Sequence, residues 1–217
     1  MTIAKLNGIV KTMASNYPFF YSEADFQHSL ALALKANGYD VFLEYPITIN
    51  KKTYHIDIIA RNAAGIMFPI ELKYKTTALT CQGLTGNHKL RIQSAQDINR
   101  FLFWKDVKRL EQLRLASEDK FSRGFVIMLT NDVSYWSLPK TPDCIDKLFR
   151  IHSNAVVQDV LWTGNKCINH DYKAGTVTYK HFTLGAQYVV PKWIDYSIVI
   201  DKVTQKQNEF KYLTISV

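Results

Sequence analysis

The chain has 217 residues, of which 47% are hydrophobic and 13% aromatic, and its formal net charge is +8. That length suits one domain, or one compact domain with an elaboration, and the composition supplies a real core and excludes a disordered chain. The basic balance favours polyanionic partners through attraction to phosphates. Cys81, Cys144 and Cys167 stand far apart, with no CxxC pair and no even framework, as expected of a reducing cytoplasm. The first residues lack the apolar run of a signal peptide, and no stretch approaches the roughly 18–20 apolar residues of a membrane span. The expectation is therefore a cytoplasmic protein with no membrane partner.

Residues 2–14 place Ile3, Leu6, Ile9, Val10 and Met13 on one stripe and predict a short amphipathic helix. A second helix is predicted over 22–37. Ser22 is its N-cap, Asp25 approximates a capping box, Phe26, Leu30, Ala33 and Leu34 form its stripe, and Asn37-Gly38 stops it. Three strand-like runs follow at 39–49, 53–61 and 66–75, with turns at 50–52 and 62–65. Pro69 cannot donate to a ladder, so the third strand needs a bulge or an unpaired position there. Residues 76–93 contain Gly83 and Gly86, show little periodicity, and read as a flexible loop or a loose hairpin.

A long helix is expected over 94–116, capped by Ser94, with Ile98, Phe101, Leu102, Trp104, Val107, Leu110 and Leu113 on its apolar face. Asp106–Arg109, Lys108–Glu111 and Glu111–Arg114 fall on its other faces at i,i+3 spacing. FVIMLT after Gly124 suits a fully buried strand. Residues 133–217 are strand-biased, with VTYKHFTL, YSIVI and FKYLTISV as strands that extend the sheet.

The polar exceptions carry the functional reading. Glu71, Lys73 and Lys75 alternate along FPIELKYKT and so share one strand face. In a hairpin turning near 63–64, opposed residues sum to 127–128, which sets Asp57 across from Glu71 with Lys73 beside them. Two opposed carboxylates repel unless positive charge lies between them. Mg²⁺, with Mn²⁺ as a substitute, supplies that charge and takes oxygen ligands. Such an ion lowers the pKa of a bound water and offsets charge on phosphodiester oxygens, and Lys73 could orient the water or neutralise the same charge. Ile59 shares the face of Asp57, and Ile56 and Ile58 fill the other; an Asp in a strand apolar on both faces is expected to be paired or metal-bound.

On Asp57 in HIDII, on Glu71-Leu72-Lys73 as an E-x-K element, and on the order αβββαβ, residues 20–132 resemble the PD-(D/E)xK nuclease superfamily. The resemblance implies an α/β, restriction-endonuclease-like core with a mixed central sheet, to which the strand-biased residues 133–217 add a β-rich C-terminal extension. It implies metal binding by Asp57, Glu71 and the backbone carbonyl of Leu72, and a catalytic role for Lys73. A further acidic residue on the first helix of that core matches Glu23, which shares a helical face with Phe26, Leu30 and Leu34. A glutamine near the second helix of the core matches Gln93 or Gln96. The chain departs at Ile56, where the family's proline would stand.

The resulting expectation is a single domain acting as a Mg²⁺-dependent deoxyribonuclease. RNA stays open as a substrate, and a homodimer would supply the two sites that cutting both strands needs. Lys75, His88, Lys89 and Arg91 are candidate nucleic-acid contacts. His55, on the Asp57 face, reads better as a hydrogen-bonded strand histidine. Cys167 and His170 lack a second pair for zinc. The alternatives are a catalytically silent nucleic-acid-binding module and an accessory subunit with the same fold.

Overall fold

The computed structural model describes residues 1–49, 51–83, 85–116 and 120–217. α1 (Ile3–Met13) begins where the Thr2 hydroxyl accepts the Lys5 N–H, and it buries Leu6, Ile9, Val10 and Met13. α2 (Glu23–Ala36) is capped by Ser22, whose hydroxyl accepts the Asp25 N–H, while Asp25 Oδ2 accepts the Tyr21 N–H. Gly38 follows its end at φ +84°, a conformation open to a residue without Cβ.

β1 (Asp40–Ile49), β2 (Lys52–Arg61) and β3 (Met67–Lys75) form an antiparallel meander. In the expected turn at 50–52, Asn50 lies outside the described residues. Residues 76–93 hold a hairpin of β4 (Leu79–Gly83) and β5 (Gly86–Leu90), with Leu84 outside the described residues. α3 (Gln96–Ala116) starts two residues later than expected, and Ser94 is not its cap. Ala95 precedes the helix at φ +64°, and its carbonyl takes the Asn99 N–H. The cause lies upstream: Gln93 exchanges hydrogen bonds with the Thr76 backbone, its N–H donating at 2.9 Å and its Oε1 accepting at 2.9 Å, which ties the chain to the end of β3.

β6 (Phe125–Thr130) is buried throughout and runs parallel to β3. Then come β7 (Val156–Val160), β8 (Cys167–Ile168), β9 (Asp171–Ala174), β10 (Val177–Tyr179), β11 (Phe182–Val189), β12 (Ile194–Ile200) and β13 (Gln207–Ser216). The run VTYKHFTL is not one strand: it divides into β10 and β11, because the His181 N–H turns to Asp171 Oδ1 at 2.8 Å. The central sheet has the order β1-β2-β3-β6-β13-β12. The fold is therefore mixed α/β with a mixed central sheet and extra strands. The C-terminal segment supplies β13 directly beside β6, so it completes the sheet from within.

Two layers cover the sheet. Leu6, Val10, Phe26, Leu30 and Leu34 of α1 and α2 pack against Ile58, Ile70, Leu72 and Ile127. Phe103, Trp104, Val107 and Leu110 of α3 pack with Val126, Met128, Leu213, Phe149 and Trp162 on the other side. Each fully buried side chain of this kind contributes about 1.5–3 kcal/mol. No helix among the described residues is long and apolar enough to cross a membrane.

The β1–β2 ribbon changes layers part-way along. Val41 and Leu43 pack with the α1–α2 layer, and Ile47 and Ile49 with the α3 layer. Across the ladder, Ile58 and Ala60 belong to the first layer, and Tyr54 and Ile56 to the second. Ile56 and Ile58 thus do not fill one face as the alternation predicts. Glu44 stands at the crossing with φ +48°, between the pairs Leu43↔Ile58 and Tyr45↔Ile56, at the level of Asp57. A left-handed residue re-aims the strand there.

Candidate active site

β2 and β3 pair from Arg61↔Met67 to Ile58↔Ile70, each pair summing to 128, the register expected from the turn. The ladder stops one residue short of Asp57 and Glu71. From Ile70 onward β3 continues beside β6 instead, so β2 and β3 part at this level. The freed main chain needs a partner. Asp57 provides it: the Leu72 N–H donates to Asp57 Oδ2 at 2.6 Å. Gln27 of α2 steadies the same residue, with Nε2 donating to the Asp57 carbonyl and to Glu44 Oε1, each at 2.7 Å.

Around this junction the charges interlock. Glu71 is 1% exposed, and its Oε1 lies 2.6 Å from Arg109 Nη1. Arg109 Nη2 lies 3.1 Å from Asp106 Oδ1, and Lys73 Nζ lies 2.5 Å from Asp106 Oδ2. Lys73 Nζ also donates to the Leu72 carbonyl at 3.1 Å. The Arg109 guanidinium sits over the Tyr54 ring, 5.4 Å from its centroid. On the α2 side, Glu23 Oε2 accepts the Tyr74 N–H at 2.7 Å and lies 3.5 Å from Lys75 Nζ.

Burial pushes the Asp57 carboxyl above its usual range, against the opposing pull of the Leu72 N–H and Lys73. Glu71 is pushed well above its ordinary value, first by burial and then by the charge of Asp106; Arg109 opposes this, and Asp57 adds to it. For Lys73, burial works against the charge, but Asp106, Glu23 and Glu71 outweigh it and hold the ammonium protonated above its ordinary pKa. Arg109 is held the same way, with Glu71 and Asp106 outweighing burial.

The structure brings Asp57, Glu71, Leu72 and Lys73 into one contact network, with Glu23 and Lys75 beside it across Tyr74. His88, Lys89 and Arg91 line a cleft of about 410 Å³, together with Glu23, Tyr74, Thr76 and Gln93. Lys75 is paired with Glu23 and is not a loose surface cation. Gln93 ties the backbone of Thr76, whereas Gln96 donates to Asp132 Oδ2 at 3.0 Å, beyond the end of β6. His55 is exposed on β2 opposite Pro46. Cys167 donates to the Thr163 carbonyl and His170 meets the Trp162 carbonyl, so neither is set toward a shared ion.

Two residues of the network, Asp106 and Arg109, escape the sequence reading. Their i,i+3 spacing is visible, but that pattern is ordinary on a solvated helix face. Here Asp106 is 3% exposed and faces β3.

Among the described residues, no group of three or more His, Cys, Asp or Glu side chains is arranged to hold a metal ion. The oxygens that the resemblance implies as ligands are two carboxylates and the Leu72 carbonyl. They suit a hard cation: all are oxygen, and Asp57 Oδ1 has no hydrogen bond among the described residues. Glu23, Asp57, Glu71 and Asp106 also set four carboxyl groups against the three cationic side chains of Lys73, Lys75 and Arg109. A comparison with protein-family models, with curated proteins and with solved structures finds no match for this chain.

Proposed function

We propose that this protein is a divalent-metal-dependent nuclease of the PD-(D/E)xK type, acting on DNA through a restriction-endonuclease-like core. The observation that carries the reading is the junction where β2 and β3 part: Asp57 caps Leu72 there, and Glu71 and Lys73 stand on either side of that residue. Asp57, Glu71 and the Leu72 carbonyl would hold Mg²⁺ or Mn²⁺, which supplies a more acidic bound water and charge neutralisation at the phosphate.

The chain's own residues do the positioning. Lys73 is kept protonated by Asp106 and offers a fixed positive charge to a phosphodiester oxygen. Asp57 is anchored at its carbonyl by Gln27 and at one carboxylate oxygen by Leu72, which leaves the other oxygen to face the site. Glu23 lines the same cleft as Tyr74, His88, Lys89 and Arg91, and it binds the Tyr74 N–H and pairs with Lys75. The +8 net charge of the whole chain favours a polyanionic partner. RNA would meet the same chemistry, and a second copy of the chain would supply the second cut of a duplex.

One observation favours a second reading, a catalytically silent nucleic-acid-binding module: Glu71 and Lys73 are already neutralised by Arg109 and Asp106. Incubating supercoiled plasmid with the protein in Mg²⁺, beside Asp57→Ala and Lys73→Ala, separates the two. Nicking by the parent alone supports the nuclease. Binding without nicking, or equal nicking by all three proteins, removes it.

A further inference from the structure

We infer that Arg109 is an internal competitor for the divalent cation, and that it must leave Glu71 before a metal binds there. The inference rests on the metal-dependent reading above and assigns a role to a residue outside its ligand set.

Glu71 is almost fully buried, and a lone carboxylate in that position is strongly disfavoured. Arg109 Nη1 supplies its counter-charge at 2.6 Å. That distance is already the length of a strong charge-assisted contact, so the guanidinium supplies at Oε1 the counter-charge that a cation bound to the same carboxylate would supply. A divalent ion and a guanidinium drawn to the same carboxylate repel each other, which makes the two occupants alternatives.

The surroundings give the displaced guanidinium a place to go. Asp106 Oδ1 is 3.1 Å from Nη2, and the Tyr54 ring lies under the group at 5.4 Å. Arg109 can therefore leave Glu71 without losing every partner. Asp106 is also the partner of Lys73, so the movement is felt by the ammonium beside the reacting phosphate. The observed affinity for metal is the intrinsic affinity reduced by the fraction of molecules in which Glu71 is free. Arg109 thus supplies the counter-charge of the buried carboxylate until metal arrives.

The test is calorimetric titration with MnCl₂ alone, with no nucleic acid, on the full-length parent, Arg109→Gln and Arg109→Lys. Arg109→Gln is expected to bind Mn²⁺ roughly tenfold to a hundredfold more tightly than the parent. Arg109→Lys, which keeps a charge with a shorter and looser reach, is expected to fall between them. Equal or weaker binding by both variants overturns the inference while leaving the nuclease reading intact. Failure of the parent and both variants to bind Mn²⁺ removes the nuclease reading, and this inference with it. Should Arg109→Gln not fold by itself, recovery of folded protein by refolding in Mn²⁺ supports the inference. No recovery, together with no gain in Arg109→Lys, overturns it.

Discussion

Arg109 on α3 and Glu71 on β3 form a contact of 2.6 Å between a guanidinium and a carboxylate that is 1% exposed. A buried carboxylate at the point where β2 and β3 part is thereby made tolerable by a residue 38 positions further along the chain. Even so, burial and Asp106 leave Glu71 with a pKa well above the ordinary 4.5.

The sign of that shift yields a prediction. A carboxyl that is more basic in the folded protein than in the unfolded chain stabilises the fold fully below the unfolded value, near 4.5, and that contribution is lost as pH rises through the folded pKa. Glu71→Gln places an uncharged amide there and avoids the loss. In metal-free buffer its melting temperature relative to the parent's should rise from pH 5 to pH 8, by roughly 2–4 °C for each kcal/mol recovered, on top of the cost of the lost Arg109 pair. Adding Mn²⁺ should raise the parent's melting temperature and leave the variant's unchanged. Scanning calorimetry across pH, with and without Mn²⁺, measures all of these.

Asp106 gives a second expectation. Its Oδ2 lies 2.5 Å from Lys73 Nζ, so Asp106→Asn removes the largest attraction that keeps the ammonium charged and in place. The pair is nearly buried, at 15% and 5% side-chain exposure, and its loss should cost about 2–3 kcal/mol of stability. Single-turnover cleavage should slow by roughly 10–100-fold with little change in substrate affinity, because the effect is one of position. Asp106→Glu should restore part of the rate. A variant that loses stability but cleaves at the parental rate would limit Asp106 to a structural part.

The legible part of this site was local. Alternation along FPIELKYKT and the turn at 62–65 suffice to set the β2–β3 register, whose observed pairs have the expected sum as far as Ile58↔Ile70; that the ladder ends there, short of Asp57 and Glu71, was not legible. Ser22, Asp25 and Gly38 mark α2 correctly because capping chemistry acts within one turn of helix. What escaped was set by distant partners. Asp106 and Glu111 carry the spacing of surface ion pairs yet are buried, because β3 and β11 arrive to cover them. The exchange of layers by the β1–β2 ribbon depends on Glu44 adopting φ +48°, which glutamate does not announce. The late start of α3 follows from Gln93 binding Thr76, 17 residues earlier.

Glu111 allows stability to be separated from chemistry. Its carboxylate accepts the Gly185 N–H through both oxygens, at 2.9 and 2.8 Å, and the Tyr188 hydroxyl at 3.0 Å, which pins β11 onto α3. A Cβ at residue 185 would come within 3.2 Å of Oε1, so any larger residue there would push the carboxylate back by a few tenths of an ångström. Glu111→Ala should lower stability by about 2–3 kcal/mol, since buried donors lose a charged acceptor. Measured well below its melting temperature, its cleavage rate should stay within about twofold of the parent, because Glu111 touches no residue of the candidate site. Chemical denaturation and a cleavage assay on the same preparation check both.

The cleft beside Glu23 leads to an electrostatic expectation. Lys89 and Arg91 are exposed on its wall. Lys89→Ala with Arg91→Ala should weaken DNA binding at low salt and reduce the slope of log K against log salt by about 1 for each phosphate contact removed. Cleavage of bound DNA should be little affected. Fluorescence anisotropy over a range of NaCl concentrations measures the slope, and an unchanged slope would assign these side chains to solvent.

The most direct measurement is anomalous diffraction from crystals soaked in Mn²⁺. A manganese peak is expected within about 2.0–2.5 Å of oxygens from both Asp57 and Glu71, with Arg109 withdrawn from Glu71. Full-occupancy manganese elsewhere in the crystal, with Arg109 still bonded to Glu71 and no peak between the two carboxylates, would contradict that expectation.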